Sequence, residues 1–202
     1  MSGLLLSKEE VLKILKETGG IREGHFILPS GIHTNLYFQM PLAFRYFDNV
    51  RRLSVALSRL LRLCGPVAKA LPDCTVVAPA SGGIPVAFAV REALGASQIL
   101  WAERRNDELY FRPTLEVKSG DRCILVDDIV LTSRTLKNLS GLVRQQGGRV
   151  LAAGVIVDPG LTKLELESIP FVSLLRLEAE SYPDASVCAL CRAEEPATRL
   201  EF

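Results

Sequence analysis

The feature that most constrains this chain is a run of four apolar residues ending in two adjacent acids, Cys123-Ile-Leu-Val-Asp-Asp-Ile-Val-Leu-Thr-Ser-Arg-Thr135. Cys123 to Val126 has the length and continuous apolarity of a strand buried on both faces, as in a parallel sheet. Asp127 and Asp128 then fall at its carboxyl end. Side chains alternate along a strand, so the two carboxylates are expected to point in different directions, each solvated, paired or bound to a ligand. Thr132, Ser133, Arg134 and Thr135 follow as a hydroxyl-rich turn. Leu136 to Gln146 then reads as a helix, with Leu136, Leu139, Leu142 and Val143 at spacings of three and four. Such a turn offers unpaired N–H groups, hydroxyls and the positive end of a helix dipole, which together suit a phosphate. An anion cradle beside two carboxylates that can hold sugar hydroxyls or hydrated magnesium fits a phosphorylated sugar. The plainer reading is an acidic strand end followed by an ordinary Ser/Thr helix cap.

A length of 202 residues suits one domain, or one core with a small appendage, and 48% hydrophobic content supports a compact globule. The 24 basic and 23 acidic residues nearly cancel. No broad electrostatic footprint for nucleic acid or an anionic membrane is present, so any bound anion must be held locally. The first residues, Met1 to Ser7, have too short an apolar run and no basic start for a signal peptide or anchor, and no run reaches membrane-spanning length. Five cysteines, an odd number without an export signal, point to a reducing cytoplasm and free thiols.

Along the chain, Ser7 and Glu10 form a capping-box pattern ahead of a helix through about Glu17, stopped by Gly19-Gly20. Two short strands, Gly24 to Leu28 and Thr34 to Gln39, flank a Pro-Ser-Gly turn. Asp48 to Leu63 is helical, with Pro66 ending it. Cys74 to Ala78 is a buried strand that enters Pro79-Ala-Ser-Gly-Gly-Ile-Pro85 and then a helix from about Val86 to Leu94. Two glycines let a backbone approach a ligand closely, again at a helix amino terminus. Gln98 to Ala102 is a further strand, followed by a polar stretch, 103–114, carrying Arg104, Arg105 and Arg112. Arg149 to Val157 and Phe171 to Leu175 are strands, with a short helix expected over Leu161 to Glu167. The alternation predicts an α/β fold: a doubly wound, mainly parallel sheet flanked by helices, with ligands at the strand carboxyl ends.

These motifs, in this order, resemble the type I phosphoribosyltransferases, and among them the orotate phosphoribosyltransferases. The similarity runs from about Gly20 to Cys191. Asp127-Asp128 and the loop after them resemble the family's motif for phosphoribosyl pyrophosphate (PRPP). Ala80, Ser81, Gly82 and Gly83 resemble its pyrophosphate loop. Phe26, Leu28, Ser30, Gly31, Tyr37 and Phe38 match a hairpin whose aromatic pair packs beside the base. Plain core packing is the alternative for Tyr37 and Phe38. The resemblance implies a single domain over 1–202, with a hood from about 1–44 and 176–202 over a core of about 45–175. It implies Asp127, Asp128, Arg104 and Arg105 as catalytic residues, the arginines coming from a mobile loop that closes over pyrophosphate. A solvated hairpin is the alternative for those arginines. Thr132 to Thr135 would cradle phosphate, with Mg²⁺ held through PRPP and water near Asp127 and Asp128. The reaction implied is transfer of phosphoribosyl from PRPP to a nucleobase in pyrimidine biosynthesis, by a cytoplasmic homodimer that binds neither nucleic acid nor membrane.

Departures cluster where the base is read. Pro29, Leu131 and Pro159 stand where the family has a lysine, a threonine and an arginine. The usual loop lysine is also missing, and arginine stabilises charge without readily giving up a proton. Ser133 and Arg134 replace glycine-like residues in the phosphate loop. Each lost polar partner costs roughly 1–3 kcal/mol of base binding. Two functions are therefore weighed: a PRPP-dependent transferase using orotate or another base, and a paralogue without turnover that binds PRPP or a nucleotide as a regulator. Near the end, Cys188 and Cys191 have metal-ligand spacing. With no second pair beside them and the histidines far off at His25 and His33, the sequence argues against zinc.

Overall fold

The computed structural model describes residues 6–106, 108–161, 166 and 168–201. Its centre is a six-stranded sheet in the order β5-β4-β3-β6-β7-β8, comprising β3 (Thr75–Pro79), β4 (Gln98–Arg105), β5 (Glu108–Tyr110), β6 (Arg122–Ile129), β7 (Arg149–Asp158) and β8 (Phe171–Arg176). All neighbours are parallel except the β4–β5 hairpin. This is the doubly wound sheet that the strand and helix alternation predicts.

Strand parity divides the core. Ile124 and Val126 of β6 face one side with Val76 and Ala78 of β3, where α3 (Phe47–Leu63) and α5 (Gly83–Leu94) supply Leu53, Leu57, Val86 and Val90. Cys123 and Leu125 face the other side with Val77, under Leu136, Leu139 and Val143 of α6 (Arg134–Gln145). Continuous apolarity in β6 thus reflects helices on both faces. The chain steps from β3 outward to β4, then returns to the opposite side of β3 with β6. A switch point therefore opens between β3 and β6 at their carboxyl ends.

A second sheet, in the order β10-β1-β2-β9, joins β1 (Ile21–Ile27) and β2 (His33–Phe38) to β9 (Ser181–Tyr182) and β10 (Ala197–Arg199). Ahead of it, α1 (Lys8–Glu17) carries the expected capping box: Ser7 Oγ accepts from Glu10 N at 3.2 Å, and Glu10 Oε2 accepts from Ser7 N at 2.7 Å. Val11, Ile14 and Leu15 of α1 pack with Ile21, Met40 and Ala43 into the α3 side of the core.

Several local expectations need correction. Pro66 does not end the long helix, which stops at Leu63; it opens α4 (Gly65–Ala70), where its missing N–H costs nothing. A further short helix, α2 (Met40–Phe44), also begins with proline. Asp127 and Asp128 lie inside β6, which runs on to Ile129, and the strand before the 103–114 stretch continues to Arg105. The helix expected over 161–167 falls largely outside the described residues.

The largest correction concerns the tail. β9 pairs with β2 at one edge of the small sheet and β10 pairs with β1 at the other, so segment 183–196 must pass across both strands. That segment includes α7 (Ala189–Arg192) and brings Cys188 and Cys191 onto His25 and His33, despite 158–166 positions of sequence separation in the contacts they make. The pair does have histidine partners.

Candidate active site

The switch point is filled by the groups the sequence singles out. Ala80 N donates to Ala102 O at 2.7 Å, tying the β3–α5 loop to β4, and the Ala80–Ser81 peptide is cis. Gly82 and Gly83 then bring backbone against the acids. A Cβ on Gly82 would lie 2.5 Å from Asp128 Oδ2, and one on Gly83 would lie 3.1 Å from Asp127 Oδ1. Both carboxylates thus converge on the same loop, although simple alternation along β6 sends them apart. Each is turned back onto its own strand: Asp127 Oδ1 accepts from Asp128 N at 2.9 Å, and Asp128 Oδ1 accepts from Ile129 N at 2.8 Å.

Two helix amino termini meet this point. α5 begins at Gly83 and α6 at Arg134; neither has a side-chain cap, and neither carries an acid in its first turn. Their N–H groups and dipoles remain available to an anion. Thr132 and Arg134 are exposed, Ser133 and Thr135 half-buried, and Ser133 occupies the cap position of α6.

The arginines separate by parity. Arg104 shares the face of Leu100 and Ala102 toward α6, and its Nη2 donates to Thr135 Oγ1 at 3.5 Å. Its charge favours ionisation of Asp127. Arg105 lies over the Tyr110 ring, 4.9 Å from its centroid, and Arg112 pairs with Glu103 at 2.6 Å. The structure therefore brings Arg104 to the acids and places Arg105 and Arg112 in a solvated hairpin. A strand drawn through residue 105 would have made this distinction legible. Tyr37 and Phe38 lie on β2: the Tyr37 ring is 5.6 Å from that of Phe26, and Phe38 packs against the core. One polar pair escapes the sequence reading. Buried Asp158, at the end of β7, accepts from Arg176 Nη1 at 3.0 Å and from Gly160 N at 2.9 Å, beside the position where proline replaces the family arginine.

The acids are electrostatically expensive. Asp127 is 7% exposed. Burial pushes its carboxyl well above the ordinary range, repulsion from Asp128 adds to this, and Arg104 opposes it. Burial also raises Asp128, against hydrogen bonds from Asp127 and from the Ile129 N–H. A groove of about 730 Å³ lies away from this chemistry, on the outer side of α3 and α5, with Phe47, Val50 and Phe88 in its lining.

A hydroxyl-rich turn, a glycine loop and twin acids at the switch point of such a sheet define the class as a type I phosphoribosyltransferase. No protein-family model matches the chain. It is 32% identical over 191 residues to the orotate phosphoribosyltransferase of Caldanaerobacter subterraneus, covering 95% of both chains. It is 34% identical to that of Thermotoga maritima, covering 94% of this chain and 98% of the relative. The crystal structure of orotate phosphoribosyltransferase from Aeropyrum pernix superposes with a TM-score of 0.66 at 21% identity, covering 83% of this chain and 94% of that one. The adenine phosphoribosyltransferase of Thermoanaerobacter pseudethanolicus shares the fold at a TM-score of 0.58 and 16% identity, covering 70% and 88%. The chain belongs to the orotate phosphoribosyltransferase family. Among the described residues, no helix is long and apolar enough to cross a membrane.

Two substitutions probe the notch. Gly82 has right-handed helical dihedrals, φ −61° and ψ −37°, so alanine fits its backbone but drives a methyl into Asp128. Gly82→Ala is expected to fold normally by circular dichroism and to lose about a hundredfold in kcat/KM, or about 2.7 kcal/mol of transition-state stabilisation; unchanged kinetics would refute the close approach. The second concerns pH. Both acids titrate higher in the folded chain than in the unfolded one, so their contribution to stability is greatest below the ordinary carboxyl pKa and is lost as pH rises through the raised values. Asp127→Asn keeps an acceptor for Asp128 N–H and removes a buried charge. In calorimetry of the ligand-free protein near pH 8, it is expected to gain on the order of 1 kcal/mol, about 2–4 °C in thermal midpoint. The gain should vanish toward about pH 4; a gain that grows on acidification contradicts the sign.

Proposed function

We propose that this phosphoribosyltransferase joins orotate to the ribosyl group of PRPP, releasing pyrophosphate and forming a nucleoside monophosphate. The observation that carries the proposal is the convergence of Asp127 and Asp128 on Gly82 and Gly83 between two uncapped helix amino termini. The base follows from the relatives, whose names specify orotate at 32–35% identity over 95% of this chain.

In this reading Asp127 and Asp128 accept hydrogen bonds from the ribose hydroxyls. The N–H groups of Thr132 to Thr135 and the Thr132 and Ser133 hydroxyls hold the 5′-phosphate, and Ala80 to Gly83 hold the pyrophosphate. The bond from C1 to the pyrophosphate oxygen breaks, with the electron pair leaving on pyrophosphate, and a ring nitrogen forms the new bond to C1 while the proton it carried passes to the released pyrophosphate. Arg104 neutralises charge gathering on the leaving group. The carboxylate oxygens of Asp127 and Asp128, gathered beside Gly82 and Gly83, are a donor type suited to a hydrated divalent ion. Mg²⁺ held near Asp127 and Asp128 would supply further charge neutralisation to the pyrophosphate. Tyr37 and Phe38 lie on the hairpin assigned to the base side.

Retained twin acids, glycine loop and Arg104 do not favour the regulator without turnover. The replaced contacts at Pro29, Leu131 and Pro159 bear on the base, and they imply a narrowed preference for orotate over an uncarboxylated pyrimidine. A pyrophosphate-release assay with Mg-PRPP and orotate, uracil or adenine is expected to be fastest with orotate. Arg104→Ala should then lower kcat/KM about a hundredfold, and Arg105→Ala less than about fivefold. Release with adenine alone, or with none of the three, would overturn the assignment.

We further propose that a cytoplasmic homodimer forms through the apolar groove on α3 and α5, where Phe47 is 75% and Phe88 56% exposed. Sedimentation equilibrium should give twice the chain mass for the native protein and a smaller mass for Phe88→Glu. A native monomer would exclude this interface.

A further inference from the structure

In the small sheet, four ligating atoms from His25, His33, Cys188 and Cys191 lie within 4.8 Å of one another. His25 Nε2 is 2.8 Å from His33 Nδ1, 3.8 Å from Cys188 Sγ and 3.7 Å from Cys191 Sγ, and Cys191 Sγ is 3.4 Å from His33 Nδ1. A tetrahedral zinc with ordinary bond lengths separates its ligands by about 3.3 Å for N and N, about 3.6 Å for N and S, and about 3.8 Å for S and S. Four of the six separations lie within about 0.5 Å of these values, and the whole set, spanning at most 4.8 Å, closes onto one ion by shifts of about 1 Å. His25, His33 and Cys188 are buried.

The outer partner of one imidazole fits the same role. His25 Nδ1 lies 3.0 Å from the carbonyl oxygen of Glu195, so it is the N–H donor there and leaves the Nε2 lone pair facing the cluster. A metal-binding histidine is commonly oriented in this way. Soft thiolates with imidazoles in tetrahedral array select zinc over the hard magnesium ion expected at a pyrophosphate.

We infer that His25, His33, Cys188 and Cys191 bind one structural zinc ion, which clamps the β1–β2 hairpin to segment 183–196. Four protein ligands complete the coordination, so the ion has no open position for substrate and acts on the fold. Its ligands flank the turn at Leu28 to Ile32, closed by Leu28 N to Ile32 O and Gly31 N to Leu28 O at 2.8 Å each. The clamp therefore also holds this turn. Zinc binding displaces two thiol protons and leaves both sulfurs as thiolates.

The test uses the full, untagged chain purified under reducing conditions without chelator. Atomic emission should find one zinc per chain, and replacement by cobalt should give the intense visible bands of a tetrahedral site together with thiolate-to-cobalt charge transfer. Cys191→Ser and His33→Ala should each reduce bound zinc at least tenfold, whereas Cys64→Ser, outside the cluster, should retain it. Chelation of the native protein should lower its thermal midpoint by several degrees, and added zinc should restore it. Less than one zinc per ten chains after zinc addition, a cobalt spectrum without thiolate charge transfer, or a Cys188–Cys191 disulfide in the reduced preparation would each overturn the assignment. None of these readouts depends on turnover, so failure of the orotate assay leaves them intact.

Discussion

One buried and one half-buried carboxylate, set against two glycines that have no room for a side chain, govern the centre of this protein. Their charges repel and both lose water, which the fold tolerates because each accepts a backbone N–H and Arg104 lies nearby. Neither acid would meet the loop if β3 and β6 were not adjacent and parallel. Sheet order thus sets the gap, glycine sets its depth, and the helix dipoles set its preference for anions. In the proposed function, the same burial that lowers intrinsic stability strengthens the electrostatic response of the notch to a charged ligand.

Much of this was legible in the sequence because it is local. Four-residue apolar runs, glycine turns and helical spacing locate β3, β6, α5 and α6 with boundary errors of a few residues. Pro66 misled because proline ends one helix and begins another equally well, and Cys64 supplies the extended break between them. Arg104 and Arg105 look equivalent in a polar stretch that begins at residue 103, and only the continuation of β4 to Arg105 separates them by parity. The directions of Asp127 and Asp128 depend on rotamers turned back toward the chain, which alternation alone does not specify.

What stayed hidden is non-local. His25 and Cys188 are 163 positions apart, and nothing in either neighbourhood signals the other. Their meeting depends on β9 and β10, strands of two and three residues that no periodicity can identify. The proposed zinc site and the proposed active site also use opposite chemistry. One assembles soft, fully coordinating ligands in a small sheet; the other exposes hard oxygens and backbone N–H groups at a sheet edge. Keeping them on separate sheets prevents competition for the same ion.

The parallel pairing of β1 with β10 has a temporal side. His25 faces Ala197 in that register, so one strand waits for another that is made long after it. Residues 75–176 supply every strand of the six-stranded sheet, whereas the small sheet draws on residues 21–38 and 181–199. Loop closure over so long an interval is slow to initiate, although its extra entropic cost grows only logarithmically with length. The β1–β2 hairpin therefore stays open at both edges until residues 181–199 arrive, although the six-stranded sheet needs none of them.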